Sequence, residues 1–77
     1  MTRPTITRRD LQTLTARAFE ARRVAGVAVG SLSALQIGHF RAGQRAGAAV
    51  NRALDLQATA DEATAEARAA KVAHRAA

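Results

Sequence analysis

A chain of 77 residues without cysteine can form one domain at most, with no disulfide, thiol nucleophile or thiolate metal site. Its 48% hydrophobic content overstates the material for a core, because 21 of those side chains are alanine and only 16 are large. Ordering a residue costs about 1–2 kcal/mol of backbone entropy, so burial beyond a lone globule must come from copies of itself, another partner or a bilayer.

The formal net charge is +6, and it is unevenly spread: +4 over residues 1–23, none over 24–40 and +2 over 41–77. Such a balance suits phosphate-bearing partners, either nucleic acid or anionic lipid. Arginines that merely keep an alanine-rich helix soluble give the same total. Arginine outnumbers lysine eleven to one beside heavy Ala, Gly and Val usage. This is the coding habit of a high-GC bacterium or its phages.

Residues 1–6 read as an arm set off by Pro4. The run Met1-Thr2-Arg3-Pro4 leads to more charge rather than to an apolar stretch, so no secretory signal is expected and the compartment stays undefined. Thr7 and Asp10 have capping-box spacing, and Ile6 and Leu11 occupy the two positions of a hydrophobic staple. A helix is therefore predicted to start after Thr7, and the helical domain to occupy 7–77. No proline follows Pro4, and good helix formers dominate the rest.

Stepping from Thr7 by alternating intervals of four and three picks out a heptad line. It contains Leu11, Leu14, Ala18, Ala21, Ala25, Ala28, Leu32, Leu35, His39, Ala42, Ala46 and Ala49. It continues through Ala53, Leu56, Ala60, Ala63, Ala67, Ala70, His74 and Ala77. Eighteen of its 21 positions are Ala or Leu, against nine of the other 56, and none is charged. A 3.5-residue apolar repeat is the seam of a left-handed coiled coil, so these alanines and leucines are the expected helix–helix interface. Small alanines let axes approach closely, and Leu14, Leu35 and Leu56 recur as spaced knobs.

The uncharged segment 24–40 is apolar all round, as for a helix buried in protein or lipid. Down it run Gly26, Gly30, Ala34 and Gly38, a small-residue ladder expected to form a second close-packing face. A weak transmembrane helix over 24–40 is an alternative reading, but its length is at the short limit and Ser31, Ser33, Gln36 and His39 are costly in lipid. Further on, Gly43 and Gly47 could turn the chain into an antiparallel hairpin. The heptad phase crosses them without a slip, which favours one long continuous helix over about 7–76. Residues 44–77 read as an amphipathic coiled-coil-like segment, with Arg68, Lys71 and Arg75 suiting its C-terminal dipole.

Catalytic and ligand chemistry finds no constellation. His39 and His74 lie on the seam without partners at metal-ligand spacing, and packing explains them more simply. Ser31 and Ser33 lack a base or nucleophile context, and the glycines form no phosphate loop. Arg8, Arg9, Arg22, Arg23, Arg41, Arg45 and Arg52 are candidate phosphate contacts. With Phe19 and Phe40 as the only aromatics, such contact would not read sequence.

The expectation is thus an all-α, non-enzymatic structural or assembly subunit without cofactor, metal or small-molecule substrate. It would associate with itself or with other helices as a bundle or filament, and a virion component fits. A small oligomeric membrane protein, and a basic helix contacting nucleic acid or anionic lipid non-specifically, are the alternatives. A cytoplasmic or virion-associated location is favoured over a membrane-spanning one.

Overall fold

A computed structural model describes residues 5–76. The part of the predicted arm at 1–4 and the last seam position at 77 lie outside the described residues. The chain is all-helical, with α1 at Arg8–Gly30, α2 at Ala34–Arg41 and α3 at Ala48–Ala76.

The start of α1 follows from its cap. Thr7 is extended (φ −81°, ψ 161°), and its hydroxyl accepts from the Asp10 N–H at 3.1 Å. The Asp10 carboxylate accepts from the Thr7 N–H at 3.1 Å. This reciprocal pair satisfies two donors that a helix start leaves open.

The single continuous helix does not form, for physical reasons that act at two places. At Gly30-Ser31-Leu32-Ser33 helix propensity is low, and a second capping box competes with continuation. The Ser33 hydroxyl accepts from the Gln36 N–H at 3.3 Å, and Gln36 Oε1 accepts from the Ser33 N–H at 2.8 Å. Ser33 is therefore an N-cap rather than an interior position of one continuous helix.

At the end of α2, Gly43 adopts φ +70°, a left-handed conformation that glycine reaches without a Cβ penalty. The Gln44 N–H donates to the His39 carbonyl at 2.9 Å and the Gly43 N–H to Phe40 at 3.0 Å. This is the Schellman termination. Gly47, at φ +102°, accepts the first bond of α3 from the Asn51 N–H at 2.9 Å.

The two long helices run antiparallel. Near one end of the molecule Ala28, Ser31 and Leu32 share a groove with Ala49, Arg52 and Leu56. At the other, His74 Nδ1 lies 3.1 Å from the Ile6 carbonyl oxygen. The hairpin alternative is the one realised, although its reversal takes the whole stretch 31–47, including α2, rather than the two glycines alone. The molecule measures 51 × 19 × 16 Å.

Its core is thin. Ala18, Ala25, Ala53, Ala60 and Ala70 are buried, and Val50 is the one large side chain fully enclosed among the described residues. An alanine methyl contributes about the transfer energy of a single carbon, about 0.8 kcal/mol, but it allows close backbone approach and dense packing.

Candidate interaction surfaces

The predicted seam is where α1 meets α3. On α1, Leu11, Leu14, Ala18, Ala21, Ala25 and Ala28 are buried or half-buried, as is Leu32 just beyond its end. On the other arm, Ala46, Ala53, Leu56, Ala60, Ala63, Ala67 and Ala70 are likewise buried or half-buried. Leu35, Ala42 and Ala49 depart from this pattern: Leu35 on α2 is 74% exposed, and Ala42 and Ala49 are exposed. One seam therefore closes two helices of the same chain, and it opens at Ala49 near the reversal.

The small-residue ladder is not one continuous line. Gly26 and Gly30 lie on α1 and Ala34 and Gly38 on α2, separated by the break at 31–33. A Cβ built on Gly26, Gly30 or Gly38 would meet nothing within 4 Å, so no neighbour within the described chain uses their smallness. The same break corrects the transmembrane reading of 24–40, and no described helix is long and apolar enough to cross a membrane.

Charge sits outside. All seven candidate phosphate-contact arginines are exposed. Two are paired: Arg23 with Glu20 at 2.6 Å, and Arg45 with Asp55 at 2.6 Å across the start of α3. The hydrogen bond from Arg23 holds the Glu20 carboxyl below its ordinary range, and the one from Arg45 does the same for Asp55. Asp10 is lowered first by the Thr7 backbone N–H and then by the Thr7 hydroxyl. Arg8, Arg9, Arg22, Arg41 and Arg52 make no ion pair among the described residues.

His39 Nδ1 lies 3.1 Å from Gln44 Oε1, so both histidines have local polar partners. No group of three metal-binding side chains occurs among the described residues.

A groove that sequence reasoning missed opens at the reversal end. Val24, Val27 and Ala28 of α1, with Leu32 just beyond its end, form one wall and Ala49 and Leu56 the other, and Arg23, Ser31 and Arg52 complete the lining. Its volume is about 430 Å³, and no residue of α2 lines it. α2 packs instead against α3. Only the antiparallel pairing brings residues 23–32 beside 49–56, so no local motif could have signalled it. A shallower surface surrounds Phe19 on the outer side of α1, where the ring is 64% exposed.

No family model matches this chain, and neither a curated protein nor a solved structure matches it.

Proposed function

We propose that the protein is a non-enzymatic assembly subunit, a helical hairpin that completes its burial by packing against copies of itself in a multi-helix bundle. One observation carries this reading: the hairpin invests its alanines in its own core and leaves large apolar side chains outside. Phe19 is 64% exposed, Val27 61%, Leu35 74% and Val72 67%. The chain has an accessible surface of 5849 Å², whereas a compact monomer of 8.1 kDa exposes about 4,500 Å². Its radius of gyration is 15.9 Å, against about 11.5 Å for a compact domain of this length. The surplus surface exceeds the roughly 800 Å² that each partner gives to a stable interface. Sedimentation equilibrium at micromolar concentration tests the proposal. A dimer or larger closed assembly is expected; a monomer at every concentration, with and without detergent, overturns it.

A second reading rests on the five arginines without an ion partner among the described residues, which suit sequence-independent contact with nucleic-acid phosphates. Retention on DNA or RNA that falls steeply with added salt supports it, and retention insensitive to salt contradicts it.

A further inference from the structure

The groove at the reversal end specifies an occupant through its charge pattern. Arg52 lines it without an ion partner among the described residues, whereas Arg23 is already held by Glu20. Further along α3, Glu66 is an exposed acid with no ion pair or hydrogen bond among the described residues. Arg52, Thr59 and Glu66 are spaced by seven, two helical turns each, so they form one line on α3, and all three are exposed. The line is antisymmetric in charge about Thr59: a cation seven residues before it and an anion seven after.

We infer that a second copy of the chain docks in this groove through its own α3, related by a two-fold axis passing near Thr59. An antiparallel pairing about that point sets Arg52 of each copy against Glu66 of the other, twice per dimer. A two-fold interface requires this self-complementarity. It also sets Leu56 of each copy near Ala63 of the other, a large side chain facing a small one. The apolar groove between α1 and the start of α3 then receives the alanine-rich stretch of the other α3 around Ala63 and Ala73. Two hairpins joined this way make a four-helix bundle, with each α2 left at its periphery.

This inference rests on the self-association reading above and specifies its surface. The test is charge reversal followed by sedimentation equilibrium, with helicity by circular dichroism confirming that each hairpin folds. Arg52→Glu alone, and Glu66→Arg alone, should each raise the dimer dissociation constant by about tenfold, because two attractive pairs become repulsive. The double variant Arg52→Glu/Glu66→Arg should return to within about threefold of the parent, since each pair is restored with exchanged signs. Arg68→Glu, an exposed residue on the opposite side of α3 from Glu66, should leave association unchanged.

A monomeric parent chain would remove the self-association reading and this inference together. An associating parent whose constant is indifferent to the single reversals would leave the reading standing and overturn the surface. Failure of the double variant to recover would overturn it as well. So would an Arg52→Glu variant that assembles normally while losing retention on DNA, which would assign the groove to a polyanion.

Discussion

The α1–α3 seam and the stretch 31–47 carry the same heptad line, yet only the seam fully buries positions on it. In the seam the line is enclosed, and Ala25, Ala53 and Ala60 are between 0% and 1% exposed. In the connecting stretch Leu35 and Ala42 occupy positions on the line and face solvent. An antiparallel pair needs a heptad stripe on each helix, but it places no condition on the phase between them. Alanine-rich composition supplies that phase without any structural demand. An unbroken line is therefore evidence for two matching faces and not for a single rod.

The sharpest way to break the comparison is to place the same charge in both regions. Ala60→Arg puts a cation at a site with 0% exposure and should cost about 3 kcal/mol or more, enough to unfold the hairpin. Leu35→Arg, on the same line but 74% exposed, should shift unfolding by no more than about 0.5 kcal/mol. Urea denaturation followed by circular dichroism reads both.

The glycines divide the same way. Gly43→Ala forces a Cβ into φ +70° and should destabilise by about 1–2 kcal/mol. Gly26→Ala, in mid-helix with nothing within 4 Å, should stabilise the monomer by about 1 kcal/mol. Opposite shifts of the denaturation midpoint would confirm that the reversal, not the helix interior, needs glycine.

Asn51 offers a smaller test inside α3. Its Oδ1 is buried with no hydrogen-bond partner among the described residues, so Asn51→Ala should raise the thermal midpoint by removing a desolvated acceptor and improving helix propensity, a gain of about 1 kcal/mol. An unchanged or lowered midpoint would contradict that account.

The smallest effect expected is that of acid. Asp10, Glu20 and Asp55 all have folded carboxyls below their ordinary range. Each such group contributes stability that is present above its unfolded value, about 4, and lost as pH falls through the lower folded value. Melting temperature should therefore drop modestly between neutral pH and pH near 3, as these exposed groups are protonated. Replacing Glu20 and Asp55 by Gln and Asn should shrink the drop.

Much of this architecture was legible. The Thr7–Asp10 cap, the all-helical class and the faces of α1 and α3 are local patterns, and local hydrogen bonds or periodicity enforce them. The break at 31–33 carries its own local mark, the Ser33–Gln36 capping-box spacing, which the heptad reading alone does not register. The reversal depends on which of two compact solutions buries more alanine, a tertiary choice that residue spacing does not encode. The groove is further removed, because its two walls are brought together only by that choice. The small-residue ladder is divided for the converse reason: spacing four apart has meaning only along an unbroken helix, and the break at 31–33 splits it between α1 and α2.

A within-chain distance between the outer sides of α1 and α3 bears most directly on the closed seam. Spin labels on Gln12→Cys and Arg68→Cys, in a chain that has no other cysteine, would report it under dilution with unlabelled protein. The hairpin predicts a separation below about 30 Å, because packed helix axes lie about 8–10 Å apart. A separation near 84 Å, the span of about 56 residues of continuous helix, would contradict it.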